Sequence, residues 1–146
     1  MTEIDFYSGG GDRLSVACRL IAKAVKKRYK VMIYTPDLGV IEQIDTLLWT
    51  VSSTDFIPHC RADDKLAPVT PVILGHKSAK LPHDEVLLNL DIENPDFFSR
   101  FRRLIEIAGT QEKEVDAARK RYRFYQDRGY EIRHHRLSAD GHLIHG

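Results

Sequence analysis

The sequence is poor in cysteine and lacks any long apolar run, and these absences limit where the protein resides. Its two cysteines, Cys18 and Cys60, lie far apart and form no CxxC pair, which favours reduced thiols over a disulfide framework. No run approaches the roughly 18 apolar residues that a membrane span needs. The first residues include the acids Glu3 and Asp5 instead of the apolar core of a signal peptide. We therefore expect a cytoplasmic protein.

Recognisable catalytic, metal-binding and nucleotide-binding motifs are also missing. No GxSxG or HExxH pattern occurs, so we predict no catalytic residue, no metal site and no cofactor. The turn Gly9–Gly11 invites another interpretation, because it lies between a strand pattern and a helix pattern, as phosphate-binding loops do. Leu14 stands where the dinucleotide fingerprint has its third small residue, and no P-loop lysine is present. These mismatches argue against a nucleotide site, but the position of the turn keeps a small nucleotide-binding enzyme using Gly9–Gly11 as an alternative.

The hydrophobic pattern predicts strands that alternate with helices, within a single domain over residues 1–146. Short apolar runs predict strands over 4–7, 31–35, 71–75 and 85–90. Helical spacing of apolar residues predicts helices over 13–28, 39–50 and 111–128, the last of them ended by Gly129. This order implies parallel strands joined by right-handed crossovers.

Three other segments complete the predicted organisation. A further helix is predicted to begin at Asn94 and Pro95, with an apolar stripe formed by Phe97, Phe98, Phe101, Leu104, Ile105 and Ala108. Residues 51–69 are expected to be irregular. After Tyr130 we expect a final strand or an extended segment, followed by a polar, histidine-bearing tail over about 137–146.

Charge is nearly balanced overall but is concentrated near the C-terminus. The formal net charge is +1, which argues against a protein that binds nucleic acid mainly through phosphates. Residues 119–136 nevertheless hold seven cations against two acids, a local charge of +5. Arg119, Tyr122 and Arg123 share one helix face, and arginines beside an aromatic ring suit an acidic peptide with a free carboxylate. Two alternatives remain: a solvated helix face, and a weak single-stranded nucleic-acid binder with tyrosines as stacking platforms.

The succession of several motifs resembles a known family. The motifs are Leu48-Trp49, then Phe56-Ile57-Pro58-His59, then Ala118-Arg119-Lys120-Arg121-Tyr122-Arg123-Phe124-Tyr125, then Gly129-Tyr130. This succession resembles the chi subunit of bacterial DNA polymerase III over nearly the whole chain. The resemblance implies a three-layer α/β/α fold with a mostly parallel central sheet, similar to nucleotide-binding proteins but without a nucleotide site. It also implies a non-catalytic adaptor that links the clamp loader, through its psi subunit, to the acidic C-terminal tail of single-stranded DNA-binding protein (SSB).

The resemblance further implies two sets of binding residues. The pocket for the SSB tail would involve Arg119, Tyr122, Arg123, Ala108, Lys120 and Trp49, with Ala108 at the end of the preceding predicted helix. Arg119 would hold the terminal carboxylate of the tail, and Tyr122 would line the slot for its terminal Phe. A lysine that the family has one turn before this arginine is Val115 here, so Lys113 or Lys120 would have to supply that charge. The psi-facing segment would include Phe56 and Pro58.

Overall fold

The computed structural model of this chain describes residues 1–50, 57–76 and 81–138. In this part of the chain, seven strands form one sheet: β1 (Glu3–Gly9), β2 (Val31–Tyr34), β3 (His59–Arg61), β4 (Val72–Gly75), β5 (Val86–Asn89), β6 (Arg103–Ile107) and β7 (Ile132–Leu137). The same residues form three α-helices: α1 (Arg13–Lys26), α2 (Leu38–Thr50) and α3 (Glu112–Asp127). The strand order is β3-β4-β2-β5-β6-β1-β7, and every pairing between these strands is parallel.

The helices cover both faces of the sheet, which confirms the predicted three-layer α/β/α fold. The first face is covered by α1 and α2, whose buried side chains, including Ile21 and Ile44, pack on inward side chains of β2 and its neighbours such as Ile33. The second face is covered by α3 and by aromatic residues that precede β6, including Phe98. Because the central strands β2, β4 and β5 are buried on both faces, they consist of continuous apolar runs.

The predicted helix over residues 94–108 is wrong. A short 3-10 helix, Phe98–Arg100, is followed at once by strand β6, which lies between β5 and β1. Phe97, Phe98 and Phe101 are buried beneath α3, so their helix-like spacing reflects the packing of a turn. Residues 104–107 are buried on both faces of the sheet, because hydrogen-bonded neighbours on each side recruit them into a strand. Ala108 therefore follows a strand and not a helix.

Two strands extend the sheet beyond the segments in which the pattern predicts regular structure. Residues 51–69 were expected to be irregular, but β3 pairs with β4 at one edge of the sheet. At the opposite edge β7 pairs with β1 along its whole length and ends at Leu137, whose side chain is buried. Residues 139–146, which hold most of the predicted tail, lie outside the described residues.

The last helix has the ends that its sequence predicts. Gln111 and Glu114 occupy the two positions of a capping box, and the Glu114 carboxylate accepts from the Gln111 amide at 3.1 Å. At the other end Gly129 adopts a φ of +82°, the left-handed conformation that glycine accepts most readily after a helix. Within the described ranges, the helices are too short or too polar to cross a bilayer.

Candidate functional site

A buried polar network sets the rotation of α3 about its axis. The buried residues of this helix are Ala118, Arg121 and Tyr125. Arg121 Nε donates to Glu106 Oε1 of β6 at 3.0 Å, and Tyr125 Oη donates to Glu106 Oε2 at 2.6 Å. Asn89 Nδ2 of β5 also donates to this carboxylate, at 3.0 Å from Oε2. Because Arg121 and Tyr125 both bond Glu106, which Asn89 of the neighbouring strand also bonds, α3 is held to the sheet and its opposite face is fixed toward solvent.

The chemistry of this network is that of a buried carboxylate surrounded by donors. Burial raises the pKa of Glu106 above its ordinary value, and the three donors oppose that rise. Burial also raises the pKa of Tyr125, and the neighbouring Glu106 carboxylate raises it further, so the phenol stays protonated and donates. Arg121 also donates to the carbonyl oxygen of Ile92 at 2.9 Å, so this arginine is held by structural contacts and is not offered to a partner.

The outward face of α3 carries arginines beside a partly buried tyrosine. The Arg119 side chain is 73% exposed and makes a long ion pair with Asp116, with Nη1 and Oδ1 separated by 3.9 Å. Arg123 is also exposed, and Tyr122 is half-buried with its ring edge-on to Phe6 of β1 at 5.3 Å between centroids. The structure thus brings the side chains of Arg119, Tyr122 and Arg123 to one face, with an aromatic floor that is braced by the sheet.

The other residues of the predicted tail pocket differ in how close they lie to this face. Lys120 is exposed on α3 but lies about 100° around the helix from Arg119. Ala108 follows β6, where its amide donates to the carbonyl of Tyr7 at 2.8 Å, and its side chain packs on the α3 side of the sheet. Val115, one turn before Arg119, is half-buried.

Trp49 lies on α2, on the face of the sheet opposite to α3. Its side chain is 58% exposed, and its ring packs edge-on against His59 at 5.0 Å between centroids. The His59 ring is anchored by Asp45, with 2.7 Å between Nε2 and Oδ1. The structure therefore does not bring Trp49 together with Arg119. It groups Trp49 with the exposed Pro58, which precedes His59, and Phe56 lies outside the described residues.

Strand β7 adds two polar residues to the α3 side that local spacing alone did not single out. His134 is the register partner of Phe6, whose ring contacts Tyr122, so His134 lies on the same face of the sheet. Its Nε2 atom is 2.8 Å from Ser8 Oγ. Arg136, two residues further along β7, shares that face because side chains of a strand alternate. The signal in the sequence is the alternation of Ile132, His134 and Arg136, which becomes informative once β7 is known to pair with β1.

The glycine turn after β1 is filled by the protein's own edge strand. Gly9 has a φ of +76°, and a Cβ atom at this position would lie 2.4 Å from the carbonyl oxygen of Leu137. A Cβ atom on Gly10 would lie 2.9 Å from the Leu137 side chain. These glycines are needed because β7 approaches the turn closely, which leaves them no role in cradling a phosphate.

In the cleft where related folds bind nucleotides, most of the charged side chains are acidic. It has a volume of about 450 Å³ and lies at the carboxyl ends of β1, β2 and β5. Asp12, Asp37, Asp91 and Glu114 line it together with the cation Arg13. Asp12 accepts from the amide of Ser15 at 3.1 Å and so caps α1 already. The surplus of carboxylates repels phosphate groups, so the cleft does not fit a nucleotide.

The structure first defines a class: a three-layer α/β protein with an all-parallel sheet of seven strands in its described residues. Its sequence then defines the family. A family model described as "DNA polymerase III chi subunit, HolC" matches residues 1–133. The chain therefore belongs to the chi-subunit family of DNA polymerase III.

Individual relatives agree with this assignment. The chain is similar to a DNA polymerase III subunit chi of Pseudomonas aeruginosa, with 35% identity over 141 residues, which cover 94% of this chain and 98% of the relative. It is also similar to proteins of the same name from Haemophilus influenzae, at 26% identity, and from Escherichia coli, at 22% identity. Each of these two matches covers 80% of this chain, and the relatives are covered over 82% and 80% of their lengths.

Proposed function

We propose that this chain is a non-catalytic adaptor of the replicative DNA polymerase, acting in the cytoplasm without a cofactor. It joins the clamp loader, through psi, to the acidic C-terminal tail of SSB. Membership of the chi-subunit family supports a place in DNA polymerase III. The observation that carries the tail-binding part is the exposed group of Arg119, Tyr122 and Arg123, called the α3 site below.

The α3 site offers the chemistry that an acidic tail with a terminal aromatic residue requires. The Arg119 guanidinium receives the terminal carboxylate, because its planar fork donates paired hydrogen bonds. Tyr122 provides an apolar surface for the terminal ring and is held in position by Phe6. Arg123 and Lys120 attract the acidic residues that precede the terminal ring. His134 and Arg136 extend the site along the edge strand β7, and Ala108 extends it at the carboxyl end of β6.

Rigid support beneath the site favours binding. The network of Arg121, Glu106 and Tyr125 fixes α3, so the exposed arginines are already positioned before a ligand binds. A site that is organised before its ligand arrives loses less conformational entropy on binding. We expect the affinity to fall as the salt concentration rises, because the attraction is between exposed charges.

We assign the psi surface to the opposite face of the sheet and toward its opposite edge. Pro58 is exposed there, and we assign Trp49 to this surface instead of the tail pocket, because α2 packs away from α3. An exposed Trp beside a Pro provides the large apolar contact that anchors many protein interfaces. Phe56 stays in this proposal as the neighbouring anchor. Two separated surfaces allow both partners to bind at once, which a linking subunit requires.

The test is fluorescence polarisation with a labelled acidic peptide that ends in Phe and a free carboxylate. We expect the wild-type protein to bind at low salt, and Arg119→Ala to weaken binding about tenfold or more through loss of a charge-assisted contact. The matched control is Arg102→Ala, because Arg102 is also exposed but lies at the amino end of β6. The same peptide with a C-terminal amide should bind the wild-type protein as weakly as the free-acid peptide binds Arg119→Ala.

Failure of this test has a clear meaning. If the wild-type protein does not bind the free-acid peptide at low salt, the α3 site is not a tail pocket. If Arg102→Ala weakens binding as much as Arg119→Ala, the attraction is a general property of a cationic surface. Thermal shifts with NAD, ATP and S-adenosylmethionine complete the experiment, because stabilisation by any of them would contradict the non-catalytic part of the proposal.

A further inference from the structure

The most one-sided charge in the chain lies in its first third and not in α3. Residues 13–36 contain seven Lys and Arg residues and no Asp or Glu. Four of these cations lie near the carboxyl end of α1 and are exposed: Lys23, Lys26, Lys27 and Arg28. The near-neutral total charge of the protein conceals this surface, because acids elsewhere in the chain cancel it.

Capping of the helix explains only part of this charge. Cations in the last turn of α1 interact favourably with the negative end of the helix dipole, and Lys23 and Lys26 occupy that turn. Lys30 has a structural partner, since its Nζ donates to the carbonyl oxygen of Pro68 at 3.2 Å. Lys27 and Arg28 follow the last residue of the helix, so stabilisation of its last turn does not account for their charge.

A shallow groove runs beside these cations. Its floor is formed by aliphatic and aromatic side chains from α1, β1 and β6, including Leu20 and Tyr7, and its volume is about 70 Å³. Lys23, Lys27 and Arg103 line the groove, and none of its lining residues in the described part of the chain is a carboxylate. Tyr29, which is 37% exposed, stands at the groove with the Arg103 guanidinium 5.7 Å from its ring centroid.

Two acids on the β1 side of this groove already have cationic partners, whereas Glu85 beside Val86 accepts from the backbone amide of Lys30. Asp5 is 2% exposed and is bonded by Arg103 at 2.9 Å, by Arg133 at 2.9 Å and by His135 at 2.9 Å. Glu3 lies 3.5 Å from Arg133. The carboxylates therefore offset part of the arginine charge from β6 and β7 and leave the lysines of α1 to determine the potential of the surface.

We propose that this surface, formed by Lys23, Lys26, Lys27, Arg28 and Tyr29, is a contact site for single-stranded nucleic acid. Several exposed cations with no acid between them in the sequence suit a row of phosphates, because each phosphate that a cation neutralises releases counterions. The exposed Tyr29 ring offers a stacking surface for a base. Bases expose their faces only when they are unpaired, so the site favours single strands over duplexes.

The proposed contact is independent of the α3 site, because α1 and α3 cover opposite faces of the sheet. A chain of net charge +1 that makes only a few phosphate contacts should bind in the non-specific range, with a dissociation constant of about 10⁻⁴ to 10⁻⁶ M. Such affinity is useful only when the protein is already tethered to a partner near the strand.

The experiment is fluorescence anisotropy of a labelled oligothymidine of about 20 nucleotides, titrated with the full chain at several salt concentrations. The variant Lys23→Gln/Lys27→Gln should weaken binding by about tenfold per cation at roughly 50 mM salt. The slope of log K against log salt should fall by about 0.7 for each cation removed. Tyr29→Leu should weaken binding without changing that slope, because stacking releases no counterions.

The matched control is Arg119→Gln/Arg123→Gln, which removes two exposed cations from the opposite face of the protein. It should leave oligothymidine binding unchanged and abolish binding of the acidic peptide. The Lys23/Lys27 variant should weaken oligothymidine binding and leave binding of the acidic peptide unchanged. Equal losses of oligothymidine binding in the two variants would overturn the inference, as would an unchanged salt slope in the Lys23/Lys27 variant. Loss of an acidic peptide, and not of oligothymidine, on substitution of Lys23 and Lys27 would assign the surface to a protein partner instead.

Discussion

Arg121 Nε lies 3.0 Å from Glu106 Oε1, and both side chains are almost fully buried, at 3% and 0% exposed. This ion pair joins α3 to β6 at the centre of the second face of the sheet. It lies directly beneath the outward residues that we assign to tail binding. An ion pair in such a position does more to determine how the helix is rotated than to add stability.

The first prediction concerns this pair. Glu106→Leu should destabilise the protein by about 4 kcal/mol, because it leaves the Arg121 charge buried without a partner. The double variant Glu106→Leu/Arg121→Met should recover most of that loss, because it removes both charges from the interior. Urea unfolding monitored by circular dichroism measures both quantities. A double variant no more stable than Glu106→Leu would show that the other donors to Glu106, and not the ion pair, dominate.

The second prediction concerns Asp5, which joins β1 to the edge strand β7. Burial disfavours the charged form of Asp5, but hydrogen bonds from His135, Arg103 and Arg133 outweigh it and hold its pKa below the ordinary value. The lowered pKa means that ionised Asp5 stabilises the fold above the unfolded pKa near 3.9, and that this contribution disappears as pH falls through the folded pKa.

Asp5→Asn should therefore cost about 3 kcal/mol at neutral pH. The stability difference between the wild type and this variant should narrow as the pH falls below about 4. Denaturant unfolding at a series of pH values measures this difference. If the difference in free energy of unfolding stayed constant across the acid range, the stabilising effect of Asp5 would come from its shape and not from its charge.

The third prediction separates two uses of glycine. Gly9 and Gly129 have similar φ values, +76° and +82°, but only at Gly9 would a Cβ atom meet backbone, the carbonyl oxygen of Leu137 at 2.4 Å. Gly129→Ala should cost about 1 kcal/mol from backbone strain alone. Gly9→Ala should cost clearly more, because β7 must also move. Thermal unfolding compares the two variants, and equal losses would contradict the close approach of β7.

The fourth prediction is a gain of affinity. Val115 occupies the position one turn before Arg119, on the same side of α3, and its side chain is half-buried. Val115→Lys should extend its charge into solvent and strengthen binding of the acidic peptide by about two- to fivefold at low salt. The gain should disappear at high salt, since exposed charges are screened. Val115→Gln, with a polar but uncharged side chain, is the control and should give no gain.

Much of the fold was predictable because it depends on local patterns. The helices near 13–28, 39–50 and 111–128 have apolar residues at helical spacing and recognisable ends, so their bounds were confirmed to within a few residues. Strand β6 was mispredicted because Phe97, Phe98 and Phe101 continue a helical spacing into residues that the sheet recruits. A strand in the centre of a sheet is stabilised by neighbours that are remote in sequence, and no local window contains them.

The candidate site divides in the same way. Helical spacing alone predicted that Arg119, Tyr122 and Arg123 share a face, and they do. It could not predict that His134 of β7 lies on the same side of the sheet, which depends on the parallel pairing of β1 with β7. Nor could it separate Trp49 from Arg119, since that depends on which face of the sheet each helix covers.

By itself the sequence determined the identity of most elements, the family, and the cationic segment 119–136, because periodicity and charge are properties of neighbouring residues. Only the tertiary structure decided that Leu137 fills the glycine turn, that the cleft at the strand ends is acidic, and that α1 and α3 present their charges on opposite faces. These features arise from contacts between residues far apart in the chain. Their energies depend on burial and on distances that no local pattern specifies.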